Sequence, residues 1–346
     1  MNHLDTIMFK EISEQPEILK GMRARLLPVV SKIAEKVKKK KISFITTAAR
    51  GSSNNACTYF KYLSEIYCGL PIHSAAPSVY TVYDGKLNIK NQLVIGVSQS
   101  GKAADAILVM EKAKAAGSIT VALTNFEDSP MAKIADFHLF LGTGEEKSVA
   151  ATKTFTGQMY ALLLLAEALS GDKTLSSAAE RIASGVQETL LNMNEIVSLA
   201  DKLTNLQSAF FLGRGPHLGA ALECALKMQE TTYIKAKAFA ASDFHHGPFA
   251  MVDNESMSFL LMPEGKVFKD LEELRIKCEE AGGKTIIFTD TSAKGNFATV
   301  KIPFGSDVET PFYSVVAMQS LVNALSIKKG LSPDTPRGLN KVTITM

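Results

Sequence analysis

The chain has 346 residues, of which 46% are apolar and 21% charged, and a formal net charge of +3. That length exceeds what one hydrophobic core ordinarily serves, so two domains are expected, and the apolar content argues against disorder as a description of the whole. The charge is spread along the sequence, which weighs against nucleic acid as a partner, and the four cysteines, Cys57, Cys68, Cys224 and Cys278, form neither a CxxC pair nor a dense framework, which weighs against disulfides and metal ligation and fits a reducing compartment.

Residues 1–15 are polar and acidic, and no stretch approaches the ~18 apolar residues of a membrane span, so a cytoplasmic location without membrane contact is expected. Within residues 1–40, Ile12, Ile18, Leu19, Met22 and Leu26 recur at helical spacings interrupted by Pro16. This predicts helices packed outside a first sheet and available as a dimerisation arm. The basic run 38–41 reads as the solvated end of such a helix.

Residues 41–190 read as a first module, 191–330 as a second, and 331–346 as a C-terminal tail. Strand-like runs at 42–47, 93–97, 119–123 and 137–141 alternate with helical patterns, the arrangement of a doubly wound parallel α/β sheet. After Gly171 the pattern is helical to about residue 205, and strands then resume at 209–212, 258–262, 285–288 and 299–302. The turn Gly51-Ser52-Ser53, ending a strand and opening a helix, is mirrored by Leu212-Gly213-Arg214-Gly215, so the second half repeats the first. Neither half carries G-x-G-x-x-G with an acidic residue about 20 positions on, which disfavours a dinucleotide.

Directly after the strand 93–97 comes Ser98-Gln99-Ser100-Gly101, followed by a helix over 103–116 that ends at Gly117. Backbone N–H groups at such a turn, the hydroxyls of Ser98 and Ser100 and the helix dipole suit a phosphate monoester, with Lys102 as an added cation. The same serines also suit plain helix capping. A second hydroxyl-rich turn at Ser52 and Ser53, also at a strand end, favours phosphate, because ligands of open α/β sheets bind where strand ends converge.

The predicted helix 217–234 places Glu223, Lys227 and Glu230 on one face. That spacing describes a salt-bridged solvent face equally well, but the helix is otherwise rich in Ala, Leu, Cys and Met, and buried charges need a partner or a task. Farther on, adjacent His245 and His246 sit before Gly247-Pro248; two neighbouring histidines point apart in most backbones, so a shared metal site is not expected, whereas one could serve as general acid and base or make a structural hydrogen bond. In the tail, Lys341 reads either as solvated or, if the tail folds back, as an amine for a carbonyl.

Together these residues resemble the two-module sugar isomerase (SIS) family, in particular the isomerase half of glucosamine-6-phosphate synthase and the two-module glucosamine-6-phosphate deaminases. The resemblance runs from Glu11-Ile12-Ser13-Glu14-Gln15-Pro16 to Pro336-Arg337 and Lys341, through Ser98-Gln99-Ser100-Gly101, Ser148-Val149-Ala150-Ala151-Thr152-Lys153, Ala221-Leu222-Glu223 with Lys227 and Glu230, and His246-Gly247-Pro248. It implies two tandem flavodoxin-like modules acting without metal or other cofactor. It further implies that Ser52, Ser53, Ser98, Gln99 and Ser100 hold the phosphate and sugar hydroxyls, with the Val149 backbone beside them and Lys102 and Asn340 among the binding residues. Glu230 would shuttle the proton between C1 and C2, His246 would open the ring from the neighbouring subunit of a homodimer, Lys341 would form an imine, and Glu223 and Lys227 would set the charges around them.

Lys102 and Ala103 replace an acidic residue and a threonine of the synthase pattern, which removes one hydroxyl donor; Lys102 either compensates or marks a changed substrate. Ala151 replaces a serine, while Ala49-Arg50-Gly51-Ser52-Ser53 and Ser74-Ala75-Ala76-Pro77-Ser78 look more like the deaminase branch. The sequence shows neither a glutaminase domain nor an N-terminal nucleophilic cysteine, so the expected reaction is deamination of an amino sugar 6-phosphate to a ketose 6-phosphate and ammonia. A deglycase acting on a fructosamine 6-phosphate is the nearest alternative, followed by isomerisation of a non-amino sugar phosphate and non-catalytic sensing.

Overall fold

The computed structural model describes residues 2–341; Met1 and residues 342–346 of the expected tail lie outside the described residues. Two five-stranded, wholly parallel sheets carry the fold. The first contains β1 (Ile45–Ala48), β2 (Ile72–Ser74), β3 (Leu93–Val97), β4 (Ile119–Thr124) and β5 (Phe137–Phe140) in the order β2-β1-β3-β4-β5. The second contains β6 (Ser208–Gly213), β7 (Lys235–Ala240), β8 (Met257–Leu261), β9 (Lys284–Thr289) and β10 (Ala298–Lys301) in the order β10-β9-β8-β6-β7. Counted from its own first strand, the second sheet has the same order, so the doubly wound architecture and the internal repeat are both present, in the flavodoxin-like 2-1-3-4-5 arrangement.

Every residue of β1, β3, β4 and β8 is buried, as expected for parallel strands covered on both faces, which read as unbroken apolar runs. The edge strands β2 and β7 escaped the sequence reading for the same reason. Their sequences, Ile-His-Ser and Lys-Ala-Lys-Ala-Phe-Ala, are largely exposed or half-buried and carry no apolar run. The first strand begins later than expected, at Ile45, because Lys41 adopts a left-handed conformation (φ 52°) and Ile42 N–H still donates to Val37 O at 3.2 Å, closing the preceding helix.

The chain forms two compact units. The unit of the first sheet comprises Glu17–Glu146 and Lys153–Ala179, with Asn340 and Lys341 from the end of the described chain. Its long N-terminal helix, Gln15–Lys40, carries Pro16 near its start, where a missing N–H costs nothing, and is separated at Glu14 from the helix Ile7–Ser13. Arg25 donates to Leu141 O, the Lys36 ammonium lies 5.0 Å from the centre of the Phe137 ring, and Lys40 Nζ donates to Gly117 O at 3.0 Å. The helix thus flanks the β5 side of the sheet and ends in the solvated basic run. The helix Lys153–Ser170, buried from Lys153 through Ala166, fills the centre of this unit.

The unit of the second sheet comprises residues 2–16, 147–152 and 180–339. Its central helix, Thr310–Lys328, is buried on all sides from Thr310 to Ser326 and packs against the helix His217–Thr232. Among the described residues, no helix is long and apolar enough to cross a membrane. Burial pushes the Cys57 thiol up to about 12 and the Cys68 and Cys278 thiols up to about 11, so these cysteines behave as apolar packing groups.

His217, at the start of its helix, is fully buried, with Nε2 2.9 Å from Thr310 Oγ1 and Nδ1 3.3 Å from Arg214 O. Burial lowers its pKa from 6.5 to about 4. The unfolded chain therefore takes up a proton here at higher pH than the folded chain does. The stability contributed by the neutral ring is fully present above 6.5 and is lost as pH falls towards 4. Denaturant titrations across this window are expected to show stability falling by up to about 1.4 kcal/mol per pH unit from this site, with the slope reduced in His217→Gln.

Candidate active site

In the first sheet the strand order reverses between β1 and β3, and ligands of open α/β sheets bind outside the carboxyl ends of the strands at such a point. The turn Ser98-Gln99-Ser100-Gly101 sits there. Ser98 Oγ accepts from Gly101 N–H at 3.1 Å and Ser100 Oγ from Lys102 N–H at 3.3 Å, while the N-cap of the following helix, Ala103, has no side-chain cap. The serines therefore brace the turn and do not cap the helix, and each hydroxyl hydrogen is left to donate. Gly101 is obligatory: its φ is +63°, and a Cβ there would stand 2.4 Å from Ser129 Oγ.

On the β1 side, Ser53 is buried and its Oγ accepts from Gln158 Nε2 at 3.0 Å; Ser52 beside it is partly exposed. Arg50 Nε donates to Asp105 Oδ2 at 2.8 Å, joining the two loops. Asp105 is buried in the first turn of the helix Ala104–Ala115, where it takes up part of the dipole that would favour an anion, and the Arg50 guanidinium offsets its charge. Sequence reading missed Asp105 as a site element, although an acidic residue just past a glycine turn is a recognisable signal. Lys102 is exposed, and Gln99 and Ser100 are partly exposed.

The tail lysine is not solvated as a frayed end would be. Lys341 Nζ lies 2.6 Å from Glu146 Oε2, with the Glu146 side chain fully buried (0%) and that of Lys341 25% exposed. Glu146 also accepts from Thr154 N–H at 3.1 Å and from Thr154 Oγ1 at 2.7 Å. Nothing in the local sequence singles out Glu146, because its partner is 195 residues away. Asn340, next to the lysine, is exposed.

In the second unit, Val149 N–H donates to Asp334 O at 3.1 Å, so the Val149 amide is committed within the protein. Asp334 carboxylate oxygens accept from Ile7 N–H (3.0 Å) and Met8 N–H (2.7 Å), and Glu11 in the same helix accepts from Ser148 N–H at 3.3 Å. The helix Ile7–Ser13, the loop 147–149 and the segment around Asp334 are thereby locked together within this unit.

The helix His217–Thr232 does not present a solvent face of charges. Glu223 (0%) and Lys227 (1%) are buried, Lys227 Nζ lies 3.4 Å from Glu223 Oε1 and bonds Glu230 Oε2, and Glu230 keeps 21% of its side chain exposed. The array thus has one open end, a carboxylate. His246 lies on an exposed loop closed by Gly247 (φ +118°), and among the described residues its ring makes no hydrogen bond.

The model of the SIS domain matches residues 37–168 and 202–328. The chain is 32% identical to the glutamine–fructose-6-phosphate aminotransferase (isomerizing) of Aquifex aeolicus over 344 residues, covering 98% of this chain but 57% of that relative. Among solved structures, the C-terminal domain of the glucosamine-fructose-6-phosphate aminotransferase of Francisella tularensis matches with a TM-score of 0.87 at 26% identity, over 96% of this chain and 98% of that one. The glucosamine-6-phosphate deaminase of Thermotoga maritima shares the fold, with a TM-score of 0.77 at 22% identity over 98% and 100% of the two chains.

Removing the cation from the buried array should expose its cost. Lys227→Met is expected to destabilise the protein by about 3–5 kcal/mol in urea denaturation, because the buried Glu223 carboxylate loses the ammonium 3.4 Å away, and the double variant Glu223→Gln/Lys227→Met should regain part of that loss.

Proposed function

The chain belongs to the SIS domain family, and from that premise we propose that it is an amino sugar phosphate deaminase, converting glucosamine 6-phosphate or a close analogue to fructose 6-phosphate and ammonia. The observation that carries this reading is the buried Glu223–Lys227–Glu230 array with one partly exposed carboxylate. Taking Glu223 and Lys227 out of water costs several kcal/mol per ion unless they are paired, and the pairing here ends on the one carboxylate, Glu230, that solvent can still reach.

The turn 98–101, with Ser52 and Ser53, takes the phosphate. His246 opens the pyranose by moving a proton between the ring oxygen and O1, and its exposed ring suits action on the sugar held by a second copy of the chain. Glu230 takes the proton from C2 and returns it to C1, converting the open-chain aldose to a C2 ketimine, with Lys227 fixing the carboxylate in place. Hydrolysis of the ketimine yields ammonia and the ketose, and Lys341 supplies the amine for an imine intermediate. The 32% identity to an aminotransferase whose name includes an isomerizing step supports the proton-transfer half of this sequence.

Purified protein given glucosamine 6-phosphate is expected to release ammonia and fructose 6-phosphate in equal amounts; amine release from a fructosamine 6-phosphate without ammonia from glucosamine 6-phosphate would replace deaminase by deglycase. Glu230→Gln should lower turnover by about 10²–10⁴-fold while calorimetry still detects the phosphate ligand. Mixing inactive His246→Ala and Glu230→Gln chains should restore part of the activity if the histidine acts across subunits, and the absence of rescue in verified mixed dimers would overturn that assignment.

A further inference from the structure

Breaking a carbon–nitrogen bond through a lysine imine requires the ammonium of that lysine to lose a proton before it attacks, so a proton acceptor must stand beside the amine. The described residues place one there. Lys341 Nζ is 2.6 Å from Glu146 Oε2; the Glu146 side chain is fully buried, and the Lys341 side chain keeps 25% of its surface exposed. Glu146 is anchored independently of the lysine: Thr154, the second residue of the buried helix Lys153–Ser170, donates to it through both its backbone N–H and its hydroxyl. The carboxylate is thus fixed at a helix N-terminus, where an anion is favoured, and the lysine comes to it on the tail.

We infer that Glu146 is a catalytic proton carrier for Lys341. The inference rests on the deaminase reading for the identity of the substrate. Glu146 takes a proton from the Lys341 ammonium, and the freed lone pair on Nζ bonds to C2 of the protonated ketimine as the C=N π pair moves onto the substrate nitrogen. Glu146 then relays a proton from Nζ to that nitrogen. The bond from C2 to it breaks, the bond pair leaves with ammonia, and the Nζ lone pair forms the imine to C2. Water adds to C2 and leaves its oxygen there as the carbonyl; its two protons end on Nζ, restoring the ammonium, and Glu146 passes its own proton to the released ammonia.

The test separates this step from the proton shuttle of Glu230. Full-length protein is incubated with fructose 6-phosphate and cyanoborohydride, and the reduced adduct on Lys341 is quantified by mass spectrometry; in parallel, exchange of the C2 hydrogen of glucosamine 6-phosphate is followed in D₂O. Glu146→Gln is expected to slow adduct formation by about 100-fold while leaving the exchange within a few-fold of the unmodified protein. Adduct formation at the original rate, loss of exchange in step with it, or no Lys341 adduct in the unmodified protein would each overturn the assignment. Should Glu146→Gln fail to fold, Thr154→Val, which keeps the carboxylate and removes its hydroxyl donor, is expected to slow adduct formation about tenfold, and an unchanged rate would overturn it. Failure of the deaminase reading looks different: the unmodified protein would show neither exchange nor ammonia release, whatever the adduct rate.

Discussion

Parallel strands covered on both faces leave polar chemistry nowhere to go but the ends of the strands, and the placement of the functional groups follows from that constraint. With β1, β3 and β4 buried along their whole length, the hydroxyls, amides and charges of the first unit collect where β1 and β3 release the chain. There the strand order reverses, and a glycine turn follows β3. The place of the serine turn is a consequence of the sheet: a serine two residues farther back would stand within the buried strand.

The repeat shows how much the fold allows and how little it requires. The turn after β8 stands where the turn after β3 stands in the other sheet, yet it reads Met262-Pro263-Glu264-Gly265, with Glu264 N–H donating to Asp290 Oδ1 at 2.7 Å and no hydroxyl in it. An acidic turn facing an aspartate repels a phosphate, so the duplicated architecture carries a serine-rich turn in one copy and a different set of charges, the Glu223–Lys227–Glu230 array, in the other.

Buried carboxylates do much of the positioning. Glu11 holds the amide of Ser148, Glu146 holds Lys341 and Thr154, Glu223 holds Lys227, and Glu309, buried at 1%, takes two bonds from Arg181. Each would be costly alone and is fully partnered in place. Loops and the tail are thereby tied to helices by charge-assisted hydrogen bonds, which are directional as well as strong and fix geometry better than apolar contacts do. Burial has the opposite effect on His217, which gains its place by staying neutral.

Local chemistry was legible in the sequence wherever one segment contained the whole signal. The apolar runs of β3, β4 and β8, the serine turn at 98–101 and the common face of Glu223, Lys227 and Glu230 each lie within one short segment, because strand and helix periodicities and turn residues are local properties, and the repeat is the recurrence of such segments along the chain. Whether that charged face met water or core was not a local property; it depended on what the tertiary structure packs around the helix that bears it, the central helix Thr310–Lys328 among its neighbours. The edge strands β2 and β7 were hidden because pairing with β1 and β6, and no apolar pattern of their own, makes them strands. The partners of Lys341, of Asp105 and of Asp334 were decided by the tertiary structure alone, since hydrogen bonds between residues 55 to 327 positions apart leave no trace in spacing.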